Sequence, residues 1–255
     1  MHQNLVSSQP QYKARGLFDK YADKNKVAPL PQEMNVNPAW MDRLIEMRQN
    51  LHSPALGQFI DKLFDDKNIA QAFLQLPAST QYHHAEVGGL LAHSVEVAEI
   101  MYSLSYNNQD ERHIATVAGL LHDIGKVRTL GVNNATTQIG KMVGHDHLTL
   151  EVCAEALKTL DKTWPEAANT LRHVWTCYTP GSKFGFQPNC SIAHKLRFAD
   201  GESMRKFDAN KLFKSRGKSD GLVWNEHQQS YIWRPTEEPK PELRRSVFCI
   251  PSSIR

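Results

Sequence analysis

The sequence predicts a mainly α-helical bundle that ends in a small, β-hairpin-containing C-terminal segment. Apolar residues recur at helical spacing through most of residues 37–212, whereas short aromatic and branched runs separated by a polar turn occur only after residue 212. At 255 residues, 40% of them hydrophobic and 22% charged, the chain can bury a sizeable core and is not composed like a disordered one. Three parts are expected: an extended N-terminal arm over 1–36, a helical metal-binding domain over 37–212, and a small basic β-rich segment over 213–255.

Residues 1–36 are polar, carry Pro10, Pro29 and Pro31, and show no sustained period, which reads as an arm. Asn37 can cap a helix whose first position is Pro38 and whose apolar face is Trp40, Leu44, Ile45 and Met47. A second helix is expected around Leu56 to Phe64 and a third around Ile69 to Leu76, before Pro77-Ala78-Ser79-Thr80 breaks the series. Residues 86–105 carry the broadest stripe, with Val87, Leu90, Leu91, Val95, Val97, Ala98, Ile100 and Met101. Asp110 opens a helix expected to run to about Ile124 and to stop at Gly125. Further helices are expected from His147 to about Leu160, Pro165 to about Cys177, and Ile192 to about Leu212. Gly221–Trp224 and Tyr231–Trp233 then read as a hairpin, Pro235, Pro239 and Pro241 as a linker, and Ser246–Ile250 as a further strand.

The four cysteines, Cys153, Cys177, Cys190 and Cys249, lie far apart without Cys-x-x-Cys spacing, so neither a disulfide framework nor a zinc ribbon is indicated and each reads as a small buried hydrophobe. No apolar run approaches the 18 or so residues of a membrane span, and Met1-His2-Gln3-Asn4-Leu5-Val6 lacks the regions of a secretory signal, so a cytoplasmic chain without a membrane partner is expected. The net charge is only +3, but residues 195–255 hold 13 Lys and Arg against 8 Asp and Glu. Such a surplus suits either a phosphate-rich partner or an ordinary solvated face. Trp224, Tyr231 and Trp233 fit two roles in the same way: stacking on bases of single-stranded nucleic acid, or the small core of the hairpin.

Chemistry concentrates between residues 83 and 147, where seven of the 12 histidines fall: His83, His84, His93, His113, His122, His145 and His147. His93 shares a helical face with Leu90 and Val97, and His122 follows Val117, Leu120 and Leu121, so both imidazoles emerge from core stripes and are expected to converge. A carboxylate beside a buried imidazole, as in His122-Asp123, is costly unless compensated, and a divalent metal compensates both. Asp123 is placed to ligate and to accept a proton. Lys126, at i+3, can meet a phosphate as a point charge or serve as an ordinary helix-terminal lysine. His83 and His84 are candidate pocket-lining, substrate-binding residues. No Gly-x-Ser-x-Gly elbow, phosphate-binding Gly-x-x-x-x-Gly-Lys-Ser/Thr loop or Gly-x-Gly-x-x-Gly fingerprint offers a competing chemistry.

The string Tyr82-His83-His84-Ala85-Glu86-Val87-Gly88-Gly89-Leu90-Leu91-Ala92-His93, followed by His122-Asp123-Ile124-Gly125-Lys126 and by Arg197-Phe198-Ala199-Asp200 with Ser203-Met204, resembles the HD superfamily of metal-dependent phosphohydrolases. The likeness covers roughly residues 40–210. Within the superfamily it is similar to the HD relaxase or putative helicase proteins of conjugative elements and to the HD-type bacterial exoribonucleases. The resemblance implies an all-helical HD domain in which His93, His122, Asp123 and Asp200 ligate one divalent transition metal: manganese, iron, nickel, cobalt or zinc. Binuclear members take further ligands from a Gly-His segment, matched by Gly144-His145 with His147 nearby, and from a later histidine pair. That pair falls here on Tyr178-Thr179, just after His173, which leaves one ion as the expectation and His145 and His173 as second-metal or substrate ligands. The implied function is a phosphodiesterase acting on nucleic acid or nucleotides through metal-activated water. The alternative is a nucleic-acid-binding or conjugative-mobilisation module in which the metal site is structural or regulatory.

Overall fold

The computed structural model describes residues 37–81, 83–131, 133–177, 185–214, 221–226 and 229–235. The arm over 1–36 and the strand expected at 246–250 lie outside the described residues, as does Cys249. Helices come first: α1 Pro38–Asn50, α2 Pro54–Phe64, α3 Lys67–Gln75, α4 Gly89–Ser103, α5 Gln109–Leu121, the single turn α6 Lys126–Thr129, α7 His145–Val152, α8 Ala154–Thr163, α9 Pro165–Thr176 and α10 Ser191–Lys214. A two-stranded antiparallel hairpin follows, β1 Leu222–Asn225 and β2 Ser230–Trp233. The expected mainly helical class with a terminal hairpin is therefore what the chain adopts.

Local chemistry sets the helix starts. The Asn37 side chain accepts the Ala39 N–H with Pro38 at the first position, Ser53 accepts the Leu56 N–H ahead of Pro54, and Asp66 accepts the Asn68 and Ile69 N–H groups. Asn108 does the same for α5 through the Glu111 N–H at 2.8 Å. The resulting helices pack around α4 and α5, the most intimately associated pair, with α1 and α3 against α4, α9 against α5, and α2 against α8. The core they share includes Leu44, Phe59, Phe73, Leu90, Val97, Met101, Leu121 and Leu171, each fully or almost fully buried. At about 1.5–3 kcal/mol for each large apolar side chain removed from water, this core is what allows polar groups to be held inside the bundle. Trp175 adds a buried hydrogen bond, its indole N–H donating to the Ala118 carbonyl at 3.0 Å.

Three boundaries differ from expectation, each for a physical reason. The helix expected from residue 86 begins at Gly89, because Gly88 takes φ +79° and an added Cβ on Gly89 would stand 2.0 Å from the His84 carbonyl oxygen. Val87 is consequently outside the core, 49% exposed. The helix expected to reach Ile124 ends at Leu121, and residues 122–125 continue as a tight turn with Ile124 N–H bonded to Leu121 O and Lys126 N–H to Asp123 O. The single helix expected from His147 is two, starting at His145 and interrupted at Cys153, whose ψ of −1° redirects the chain so that α7 meets α6 and α8 meets α2. Cys153 is buried as expected, whereas Cys177 and Cys190 are only half-buried.

By packing, the chain divides into one unit ending at Phe207 and a second from Asp208. In the second, the hairpin register pairs Leu222 with Trp233 and Trp224 with Tyr231, so these four residues share one face. That face is not the hairpin's core: Leu222, Tyr231 and Trp233 are 53%, 64% and 64% exposed, and the buried residues are Val223 and Asn225 on the opposite face.

The turn carrying the His-Asp pair is clamped onto α7. The Thr149 hydroxyl, fully buried, accepts the Gly125 N–H at 3.1 Å and lies 3.2 Å from the carbonyl oxygens of His122 and His145. A Cβ on Gly125 would stand 2.0 Å from the His145 carbonyl oxygen and 2.7 Å from the Thr149 nitrogen, both backbone atoms. Gly125→Ala is therefore expected to lower stability by about 1–3 kcal/mol, read as a drop of several degrees in the thermal unfolding midpoint. A midpoint equal to wild type would contradict this close approach.

Candidate metal centre

Three elements bring four side chains to one point. His93 comes from α4, His122 and Asp123 from the turn that ends α5, and Asp200 from the middle of α10. His93 Nε2 lies 3.1 Å from Asp200 Oδ1 and 3.5 Å from Asp123 Oδ2, while His122 Nε2 lies 3.7 Å and 3.5 Å from the same two oxygens. The His93 and His122 rings meet edge to face, 5.1 Å between centroids. His122 Nδ1 is 2.8 Å from the Gly119 carbonyl, which can only accept, so Nε2 is the nitrogen left for the site.

The donor set fits a divalent cation. Both Nε2 atoms are fully buried and have no hydrogen-bond partner, although unpaired buried nitrogens are costly. One donor atom from each of His93, His122 and Asp123 falls within 4.8 Å of the others, and Asp200 adds a second carboxylate oxygen. Nitrogen and oxygen atoms held about 2.1 Å from one ion lie roughly 3–3.5 Å apart, which is the spacing seen between these imidazoles and carboxylates. Two carboxylates and two imidazoles suit a borderline transition metal.

Electrostatics express the same need. Burial opposes charge on Asp123, but His122, Lys126 and His145 hold its carboxyl well below the usual range. Burial likewise resists ionisation of Asp200, and the neighbouring imidazoles of His122 and His93 still keep it low. Burial works against a charged His122, yet Asp123 and then Asp200 outweigh it and push the imidazole up to about 9. His93 goes the other way, lowered mainly by burial.

Of the remaining residues singled out in the sequence, Lys126 donates from Nζ to Asp123 Oδ2 at 2.6 Å, and His145 Nε2 stands 3.0 Å from Asp123 Oδ1, so both oxygens of one carboxylate are engaged. His83 is half-buried and pushed down to about 4, by burial first and then by His93 and Lys126. It lines a cavity of about 350 Å³ with Lys126, Ser79 and His145. His84 turns inward at φ 52°, is buried, and packs on the Phe207 ring at 4.4 Å. His147 lines a second cavity, of about 230 Å³, with His122, Trp175, Arg197 and Asp200. His173, on α9, accepts the Asn189 N–H on Nε2 at 3.1 Å and has no contact with the four donors among the described residues. Sequence reasoning overlooked Asp146, whose Oδ1 is 3.1 Å from His145 Nε2, and Glu96, three residues after His93. The available signal for Glu96 was a carboxylate at i+3 on an otherwise apolar stretch of helix.

With this geometry in place, comparison with known proteins can be set beside it: residues 90–175 match the family model of the HD domain. Its curated relatives include proteins named 3'-5' exoribonuclease YhaM. The one from Shouchella clausii is 34% identical over 127 residues, 47% of this chain and 39% of the relative. Those from a Geobacillus species and from Bacillus subtilis are 28% and 27% identical, over 61% and 53% of this chain and 46% and 42% of theirs. The chain thus spans less than half the length of these relatives. No solved structure matches. Among the described residues, no helix is long and apolar enough to cross a membrane.

The charged network has a pH signature in the metal-free protein. His122 is raised from 6.5 to about 9 in the fold, and His145 is raised too, so the stability they contribute is fully present below pH 6.5 and is lost as pH climbs through about 9. Chelator-treated protein should therefore lose several degrees of unfolding midpoint across that interval. Adding a bound divalent ion should raise the midpoint and flatten the dependence, since the ion and not a proton then occupies the nitrogen. A metal-free midpoint that rises over the same interval would contradict the electrostatic account.

Proposed function

We propose that this chain is a metal-dependent phosphodiesterase acting on single-stranded nucleic acid, with RNA the foremost substrate, at a site holding one divalent transition metal ion. The observation that carries the reading is the convergence of donor atoms from His93, His122 and Asp123, with two buried, unpartnered Nε2 atoms and an Asp200 oxygen 3.1 Å and 3.7 Å from them. The relatives named exoribonucleases support the choice of RNA. Manganese, iron, nickel, cobalt and zinc all suit this donor set.

A bound ion of this kind supplies Lewis acidity toward a phosphoryl oxygen and a water acidic enough to react near neutral pH. The protein's own groups do the remainder. His93, His122, Asp123 and Asp200 would hold the ion. Asp123 is kept ionised by Lys126 and His145 and can accept a proton beside the reacting phosphorus. Lys126 faces the larger cavity and offers its ammonium to the phosphate as charge develops. His145, with His83 across the same cavity, is placed to contact substrate or to hold a proton delivered to the leaving oxygen. Net hydrolysis consumes one water, breaks one P–O bond and leaves a phosphomonoester and a hydroxyl. The exposed aromatic face of the hairpin, Tyr231 and Trp233 above all, provides flat surfaces on which unpaired bases can stack.

The test is metal-dependent cleavage of a generic phosphodiester and of a labelled single-stranded oligoribonucleotide. His122→Ala and Asp123→Ala should reduce turnover to background, and Lys126→Ala should lower kcat by roughly 10²-fold with little change in KM. Equal turnover in wild type and both ligand variants removes the enzyme reading and leaves the site structural or regulatory. On the oligoribonucleotide, Tyr231→Ala with Trp233→Ala should raise KM about tenfold or more while leaving hydrolysis of the small diester unchanged. An unchanged KM would detach the hairpin from substrate binding.

A further inference from the structure

His93 is gripped at both edges of its ring by one helix. Nε2 lies 3.1 Å from Asp200 Oδ1, and Nδ1 lies 3.1 Å from Ser203 Oγ. Asp200 and Ser203 are three residues apart and so share a face of α10. Ser203 Oγ is also 2.9 Å from Glu96 Oε2, and Glu96 stands three residues beyond His93 on α4. Two i,i+3 pairs on two helices thus interlock around one imidazole. The assembly is dry: Ser203 is fully buried, His93 is 1% exposed and the Glu96 side chain 12%.

The direction of these hydrogen bonds follows from the donors and acceptors available. A carboxylate can only accept, and Glu96 is kept a carboxylate by Lys206, with Nζ 3.7 Å from Oε1, and by His84, with Nε2 3.3 Å from Oε2. Ser203 has one proton and gives it to Glu96. The Ser203 oxygen therefore presents a lone pair to His93, and Nδ1 must carry the hydrogen. A neutral ring protonated at Nδ1 has a bare Nε2. The competing arrangement would place the proton on Nε2, drawn by Asp200. The geometry opposes it, since Nε2 meets no partner in hydrogen-bond alignment whereas Nδ1 does.

We propose that Glu96 and Ser203 form a positioning relay that fixes His93 as the Nδ1–H tautomer, so that Nε2 turns its lone pair to the divalent ion. The relay rests on the metal-centre reading above and assigns a task to two residues that touch neither the ion nor the substrate. Partners of this kind set ligand basicity and orientation, and their loss typically weakens metal binding by about 10–100-fold.

The test uses the full chain, uniformly labelled with ¹⁵N-histidine, stripped of metal and held in mildly alkaline buffer. Long-range ¹H–¹⁵N correlation reads the tautomer of each ring, with His93→Asn identifying the signal. Wild type should show His93 protonated at Nδ1. Ser203→Ala removes the acceptor, and Glu96→Ala frees the Ser203 proton to point at Nδ1, so both should shift the ring toward Nε2–H. In parallel, titration with zinc(II) alone and with manganese(II) alone should show binding about 10–100-fold weaker in both variants than in wild type. Metal-free circular dichroism spectra and melting curves confirm that each variant is folded. A wild-type His93 protonated at Nε2 overturns the relay whatever the variants do, as does unchanged tautomer and affinity in both folded variants. A wild-type chain with the Nδ1–H ring that takes up neither metal refutes the metal-centre reading and not the tautomer assignment.

Discussion

A buried carboxylate is the constraint from which the rest of this fold takes its shape. Asp123 has only 5% of its side chain exposed, and an isolated charge at such depth is prohibitively costly. It survives ionised because cations reach it from several directions: His122 beside it, Lys126 from the next turn and His145 from α7. Removing any one of these leaves the others to shoulder the same buried charge, so the network is coupled and its members are not independent contributors.

Backbone geometry delivers those partners. His122 and Asp123 follow the end of α5 in a turn closed by the Ile124 N–H on Leu121 O and the Lys126 N–H on Asp123 O, and that turn holds both side chains at the site. Gly125 then allows α7 to approach within backbone contact, which carries His145 to Asp123. The break at Cys153 completes the arrangement by letting the short α7 serve the site while α8 serves the core. Stability and chemistry are thus divided between adjacent segments of one chain.

Much of this was legible in the residues. Helical periodicity located the body of the bundle and the burial of His93 and His122, and the His-Asp pair announced its own need for compensation. The convergence of Asp200 with them came from resemblance, because no periodicity relates positions on α4 and α10. Features that depend on backbone approach stayed hidden: the end of α5 before the His-Asp pair, the start of α7 at His145, and the inward turn of His84 at positive φ. Glu96 and Ser203 were hidden for another reason. Each looks like an ordinary polar residue on its own helix, and only the packing of α4 against α10 makes them neighbours. The hairpin aromatics show the same limit, since the residues alone left Trp224, Tyr231 and Trp233 open to either a stacking surface or the core of the hairpin, and only the strand register put them on one face.

The pairing of His93 with Asp200 and Ser203 spans about 110 residues of chain. An ion seated among these donors therefore acts as a crosslink between distant parts of the polypeptide, closing a loop whose entropy cost is of the same kind as that relieved by a long-range disulfide. During synthesis the donors from α4 and α5 emerge long before Asp200, so the pocket stays open on one side until the last helix docks. Capture of a metal there would then mark the docking of α10, which brings Asp200 together with the core residues Ile192, Ala193, Leu196 and Ala199.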